Sequence, residues 1–145
     1  MSKAKAIGTK AETAVKNFLL SAGYTPLEAH RNVLKGQADE GDVWLRDENE
    51  GLIVFEVKGG KAAKEASYNQ VAKWFEDAQV EKMNASGSYG FLVTQRAGVG
   101  YPRAGEWWAY ASIADIIRLK VGHTPPNNGD FVRLRLTELV KLIRG

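Results

Sequence analysis

The chain has 145 residues, of which 44% are hydrophobic and 26% charged, and it carries a net charge of +3. This length and balance are typical of one globular domain that buries its own core. The absence of cysteine excludes disulfides, thiolate metal sites and a cysteine nucleophile. Because the sequence has neither a membrane-spanning apolar stretch nor a secretory signal, we expect a cytoplasmic protein with no membrane partner.

Hydrophobic periodicity and turn residues predict an alternation of helices and strands along the whole chain. In chain order the sequence predicts helix 9–22, extended segment 24–31, strands 42–46 and 52–58, helix 66–85, strands 89–94 and 107–111, helix 113–121, strand 131–136 and helix 137–143. Polar or glycine-rich stretches predict a loop over 35–41, a lysine-rich loop after Gly59-Gly60, a mobile loop or hairpin tip over 95–105 and a linker over 123–129.

Two helix starts carry capping signals. Thr9 with Glu12 three residues later, and Ser112 with Asp115, each match the capping box. With three strands in a meander and a long helix between later strands, the order of elements predicts an α/β domain whose mixed sheet has helices on both faces.

The strand that ends at Lys58 carries the most informative residues. Glu56 and Lys58 are two positions apart, so their side chains leave the same face of a strand whose other residues are apolar. Burying charge is costly unless the charge is paired or binds a metal. The pair is therefore either a simple ion pair at the strand end or part of a site.

An aspartate opens the preceding strand. Asp42 and Glu56 would supply two carboxylates for Mg²⁺, and the carbonyl of Val57 a third oxygen. Such a metal activates water and polarises a phosphoryl oxygen. Beside it, Lys58 would act either as a base or as a stabiliser of phosphate charge.

The combination Asp42, Glu56-Val57-Lys58 resembles the signature of the PD-(D/E)XK nuclease superfamily, with Gly41 in place of the proline. Gly8 to Glu12 is similar to the opening of archaeal-type Holliday junction resolvases. The resemblance covers roughly the first ninety residues. It implies a restriction-endonuclease-like domain over residues 1–122, followed by an extension over 123–145 that packs on the domain or at a dimer interface.

The resemblance further implies a Mg²⁺-dependent DNA endonuclease, with Mn²⁺ as substitute metal, and within that class a homodimeric resolvase of four-way junctions. The alternatives are another structure-selective or repair nuclease, and a DNA-binding module that kept the fold without catalysis. Glu12 would be a fourth catalytic residue, although its place in a capping box is an alternative role. Gln70 is a candidate accessory residue or a solvated polar side chain.

Several basic residues flank the acidic ones or lie in the glycine-rich loop, and we expect them to contact DNA: Lys10, Arg31, Lys35, Lys61, Lys64, Arg96 and Arg103. The glycine-rich loop lacks a following Lys-Ser/Thr, so no nucleotide cofactor is predicted. Large apolar residues in the second half are candidates for either core or dimer contacts: Trp107, Trp108, Phe131, Val140, Leu142 and Ile143.

Overall fold

The computed structural model describes residues 2–32, 42–126 and 129–145. The elements in these residues are α1 Lys3–Ser21, β1 Ala29–Asn32, β2 Asp42–Asp47, β3 Gly51–Lys58, α2 Gly60–Lys64, α3 Tyr68–Asn84, β4 Tyr89–Thr94, β5 Trp108–Ser112, α4 Ile113–Val121, β6 Phe131–Arg135 and α5 Leu136–Arg144. A 3-10 helix, Tyr101–Glu106, connects β4 to β5. The predicted loop over 35–41 lies outside the described residues.

The strands form one mixed sheet in the order β1-β2-β3-β4-β5-β6. Neighbouring strands are antiparallel except β3 and β4, which are parallel and are joined across one face by α3. Parallel strands need such a crossover, because the chain must return to the starting edge before it can pair. The mixed sheet with flanking helices confirms the predicted α/β class.

The two faces of the sheet are covered by different helices. Along β4, Phe91 and Val93 belong to a large core shared with α1 and α5, whereas Leu92 packs against α3 with Val71 and Phe75. Successive strand side chains point to opposite faces, so β4 is buried on both. Among the described helices, none is both long and apolar enough to cross a bilayer.

The C-terminal segment completes the domain. Strand β6 pairs with β5, and α5 contributes Leu136, Leu139, Val140 and Ile143 to the large core. Trp107, Val140 and Ile143 were possible dimer contacts, but all three are buried inside the monomer. Their size and apolarity are therefore explained by the core of one chain.

The first helix begins six residues earlier than the capping signal predicts. Ser2 is the N-cap, and its Oγ accepts a hydrogen bond from the backbone N–H of Lys5 at 3.1 Å. Thr9 and Glu12 therefore lie inside α1, and the capping-box interpretation of this pair is wrong. Residues 3–8 are mostly alanine and lysine with one isoleucine and one glycine, and alanine and lysine favour the helix.

Other boundaries differ because local turns compete with extended backbone. Thr25 and Glu28 exchange side-chain hydrogen bonds in a turn, so β1 begins only at Ala29. The predicted lysine-rich loop contains the short helix α2, and the predicted 95–105 loop runs into the 3-10 helix.

Candidate active site

Strand register brings the two predicted carboxylates together. Val43 on β2 is paired with Phe55 on β3, which places Asp42 beside Glu56 on the sheet face covered by α3. Asp42 is 4% exposed, and Glu56 is half-buried. The predicted pairing of Asp42 with Glu56 is therefore present in the fold.

A third carboxylate comes from the crossover helix. Glu81 on α3 joins Asp42 and Glu56, and one oxygen from each of the three lies within 4.8 Å of the others. Sequence reasoning missed Glu81. The available signal was its spacing from Trp74 and Ala78, which continues the buried face of the helix by one turn.

The crowding of negative charge perturbs Asp42. Burial is the main cause that raises the pKa of the Asp42 carboxyl far above its ordinary value, and the neighbouring Glu56 and Glu81 carboxylates raise it further. Without a cation, the cluster therefore favours a proton on one carboxyl. A divalent cation would relieve the same repulsion, since it compensates charge that this pocket cannot solvate.

Lys58 lies at the end of β3, next to the carboxylates. Its Nζ is 3.1 Å from Oε1 of Glu56 and 5.7 Å from the ring centroid of Trp74. The Lys58 side chain is one-third exposed, and the residue lines a solvent-accessible cavity. The simple ion pair that the sequence suggested does form, but it forms inside the acidic cluster.

Glu12 is buried in α1 and held by Arg31 of β1. Both Nε and one terminal nitrogen of Arg31 lie 3.0 Å from Oε1 of Glu12. Burial raises the pKa of the Glu12 carboxyl, and the bond and charge of Arg31 oppose that rise. Arg31, predicted to contact DNA, is thus engaged inside the protein and orients Glu12.

A cavity of about 240 Å³ connects α1 with the end of β3. It is lined by Gly8, Glu12, Glu56, Val57 and Lys58 among others. Four predicted site residues therefore line one cavity, namely Glu12, Glu56, Val57 and Lys58. Asp42 lies next to Glu56 on the neighbouring strand β2. A larger cavity of about 620 Å³, between α1 and the 3-10 helix, has a mixed lining of apolar, hydroxyl and amide side chains with Lys10, and no carboxylate of the described residues lines it, so we place the chemistry in the smaller one.

The double glycine lets α1 approach this strand end. A Cβ at Gly59 would lie 2.6 Å from the Ala11 Cβ, and one at Gly60 would lie 2.8 Å from Ile7. Gly60 also has a φ of 79°, which favours glycine. Glycine is therefore required at both positions to keep α1 in contact with the end of β3.

Gln95 fixes the same turn from the neighbouring strand. Its Oε1 accepts the backbone N–H of Gly60 at 2.8 Å, and its own backbone N–H donates to the Lys58 carbonyl at 2.9 Å. Gln95 is only 3% exposed. It is a positioning residue that sequence reasoning missed, although it directly follows β4, the strand parallel to β3.

The remaining predicted residues lie around the site. Lys10 on α1, Lys61 and Lys64 on α2, and Arg103 in the 3-10 helix are exposed, whereas Lys35 lies outside the described residues. Arg96 stacks on Trp108 at 4.2 Å. Gln70 is exposed in the first turn of α3, and it borders neither the cavity nor the carboxylate cluster.

Comparison of the chain with family models, curated proteins and solved structures returns no match.

Proposed function

We propose that this chain is a metal-dependent endodeoxyribonuclease with a restriction-endonuclease-like fold. One observation carries the proposal: the oxygens of Asp42, Glu56 and Glu81 lie within 4.8 Å of one another, beside the Lys58 ammonium. The order of α1, three antiparallel strands, crossover helix and parallel β4 supports the fold assignment. Two or three carboxylates with a lysine are the groups that metal-assisted phosphodiester hydrolysis uses.

The donor set fits a hard divalent cation. Mg²⁺ prefers oxygen ligands at about 2.0–2.1 Å, so ligands on opposite sides of the ion lie about 4.2 Å apart. Carboxylate oxygens within 4.8 Å need only small side-chain adjustments to meet that condition. Asp42, Glu56 and Glu81 would hold the ion, and Val57, which lines the same cavity as Glu56, would offer its carbonyl as a fourth oxygen.

When bound, a Mg²⁺ or Mn²⁺ ion would supply Lewis-acid stabilisation of the phosphoryl oxygen and a water of lowered pKa. Lys58 is close enough to orient the attacking water or to stabilise charge on the phosphate, because it borders the same carboxylates and is open to solvent. Glu12, fixed by Arg31, contributes a further carboxylate to the cavity and can accept a hydrogen bond from that water.

The substrate that we favour is a four-way DNA junction, cut by a homodimer. One chain contains one such site among its described residues, and a two-fold dimer would place two equal sites on two opposed strands. The support for this finer assignment is the sequence resemblance of Gly8 to Glu12. Another structure-selective or repair nuclease with the same site is the alternative substrate class.

Cleavage of defined DNA substrates tests the proposal. Purified protein with Mg²⁺ is incubated with a four-way junction, a flap and a plain duplex of the same sequence, with and without excess chelator. We expect paired, metal-dependent cuts in the junction and a dimer by light scattering. Metal-dependent cleavage that favours flap or duplex would select the alternative nuclease class, and binding without any cleavage would select the DNA-binding module.

A further inference from the structure

Two arginines stack on one indole near the β6 edge of the sheet. The guanidinium carbons of Arg96 and Arg133 lie 4.2 Å and 4.0 Å from the ring centroid of Trp108. Indole is the strongest aromatic partner for a cation. We name Arg96, Trp108 and Arg133 the arginine–indole cluster.

The two guanidinium charges are not neutralised by a carboxylate of the described residues. Arg96 donates to the carbonyl of Glu106 at 3.4 Å, and neither Arg96 nor Arg133 forms an ion pair with a carboxylate of the described residues. The neighbouring Arg135 differs, because it is paired with Glu106 and Glu138. A guanidinium that stacks by its face still presents N–H groups along its edge, which suit the paired oxygens of a phosphate.

The cluster lies on the same sheet face as the carboxylates. Along the strand register, Glu56 is paired with Leu92, Leu92 with Tyr110, and Tyr110 with Arg133. Three strand spacings of about 4.8 Å place Arg133 roughly 14 Å from Glu56. That distance corresponds to about four base pairs of DNA at 3.4 Å per base pair.

The surface is open at this edge of the sheet. Arg133 is exposed, and it borders a cavity of about 360 Å³ together with Phe131 and Tyr68. Tyr68, stacked on Phe131, is 73% exposed at the start of α3. Arg133 is therefore accessible to a binding partner at this edge of the sheet.

We propose that the arginine–indole cluster binds the phosphate backbone of DNA about four base pairs from the phosphate that is cut. The inference rests on the proposed nuclease function and adds the surface that holds the substrate arm beyond the active site. Trp108 acts as a positioning residue, since its indole ring contacts both guanidiniums and so fixes the distance between them. The partner is a DNA backbone because Arg96 and Arg133 form two neighbouring cationic groups, and Arg133 lies in register with the carboxylate of Glu56.

The test measures DNA affinity without cleavage. Labelled four-way junction and duplex are titrated with protein by fluorescence anisotropy, without divalent cation, over a series of KCl concentrations. For Arg133→Gln, we expect affinity to fall about tenfold, as for loss of one charged hydrogen bond. The slope of log affinity against log salt should become shallower by about 1, and by about 2 when Arg96→Gln is added.

Arg144→Gln is the matched control. Arg144 also stacks on an aromatic ring, with its guanidinium carbon 4.8 Å from the Tyr24 centroid, but it lies beside the loop that follows α1. The control removes the same charge from a stacked arginine, and we expect its affinity and salt slope to match the wild type. If Arg144→Gln and Arg133→Gln lose the same amount of DNA affinity, the loss is explained by the change in net charge alone and the proposal is overturned.

Variants of Trp108 separate positioning from folding. Trp108→Leu should weaken DNA binding and flatten the salt slope, whereas Trp108→Phe, which retains an aromatic face, should restore both. Affinities are compared directly between variants that share the wild-type melting temperature, and the affinity of any less stable variant is corrected for its unfolded fraction.

The double variant Arg96→Gln with Arg133→Gln decides the inference. Wild-type affinity and salt slope in this variant would overturn it. If that variant still cuts DNA, the proposed nuclease function stands without this surface; absence of any DNA binding by the wild type would reject both.

Discussion

The ammonium of Lys58 lies 3.1 Å from the Glu56 carboxylate, two positions back on the same strand. This contact places a cation next to the oxygen cluster while leaving one-third of the lysine side chain exposed. A compact ammonium on a flexible stem can move from carboxylate to phosphate with little rearrangement of the strand. The relationship therefore links a resting ion pair to a proposed role in hydrolysis.

Lys58→Ala tests that role. We expect the single-turnover rate of DNA cleavage in Mg²⁺ to fall about 10²- to 10⁴-fold, with little change in DNA affinity, because a contact made in the transition state affects turnover more than binding. Lys61→Ala, on the adjacent helix α2, is the control for loss of one nearby charge. Cleavage by Lys58→Ala within a factor of two of wild type would exclude Lys58 from the chemistry.

Removal of one metal ligand should abolish cleavage and preserve binding. Glu56→Gln and Glu81→Gln each withdraw one negative charge from the cluster, and Asp42→Asn removes the charge that Asp42 would carry with a cation bound, so DNA affinity should stay equal or increase. Ca²⁺ should support binding without turnover. Isothermal titration of Mg²⁺ into each variant provides a readout independent of activity, and a Glu81→Gln variant with wild-type metal affinity would remove Glu81 from the ligand set.

The stability of the metal-free protein should fall as pH rises. The folded state raises the pKa of Asp42, so above about pH 4 it retains a proton that the unfolded chain releases. The free energy of unfolding then decreases by up to about 1.4 kcal/mol per pH unit until the folded-state pKa is reached. Asp42→Asn should remove the part of this decrease that Asp42 contributes and so make the fall in stability with pH shallower, as followed by chemical denaturation between pH 5 and 8.

Mg²⁺ should reverse that trend in the wild type, because the cation replaces the proton, and its stabilising effect should grow with pH. Asp115→Asn is the control. Burial also raises the pKa of Asp115, but this residue lies in the first turn of α4, where its backbone N–H donates to the Oγ of the N-cap Ser112, and it is not part of the Asp42–Glu56–Glu81 cluster. A response of Asp42→Asn to Mg²⁺ equal to that of the wild type would contradict the assignment of Asp42.

Glu12 and Arg31 can be separated by a pair of variants. Glu12→Gln and Arg31→Gln each break the same partly buried ion pair, so both should lower the free energy of unfolding by about 1–3 kcal/mol, less than a fully buried pair would cost. We expect cleavage, corrected for folded fraction, to fall further in Glu12→Gln. Equal cleavage by the two variants would leave Glu12 with a structural role alone.

The close contact at the double glycine predicts a size-dependent loss of stability. Gly59→Ala would place a methyl 2.6 Å from the Ala11 Cβ, and we expect overpacking to cost about 1–3 kcal/mol in urea denaturation. Ala11→Gly in the same chain should recover part of that loss. Gly100→Ala is the control, since its added Cβ would meet only ordinary contact at 3.7 Å. A neutral Gly59→Ala would refute the steric account.

Residues whose environment is local were predicted best from sequence. β4 matches its predicted range, and β2 and β3 differ only at their ends, because short apolar runs between turn signals define buried strands. The proximity of Asp42, Glu56 and Lys58 follows from adjacent strands. The start of α1 was wrong because Thr9 with Glu12 resembles a cap, and the sequence does not reveal that Glu12 is buried against Arg31.

Residues brought together by the crossover were not predictable in this way. Glu81 and Gln95 reach the site only because α3 crosses the sheet and β4 lies parallel to β3. Their sequence context is that of an ordinary helical carboxylate and a polar strand-end residue. Likewise, the stacking of Arg133 on Trp108 depends on the pairing of β6 with β5.

The parallel pairing of β3 with β4 has a consequence for folding. Every pair of neighbouring strands is consecutive in sequence, but β3 and β4 meet only after a longer connection, which includes α2 and α3, has closed. Closing a longer loop costs more chain entropy, and non-local contacts slow folding. Glu81 joins Asp42 and Glu56 through this closure. High affinity for a divalent cation should therefore emerge at the same kinetic step as the β3–β4 pairing, and a cation present during folding would stabilise the product of that step.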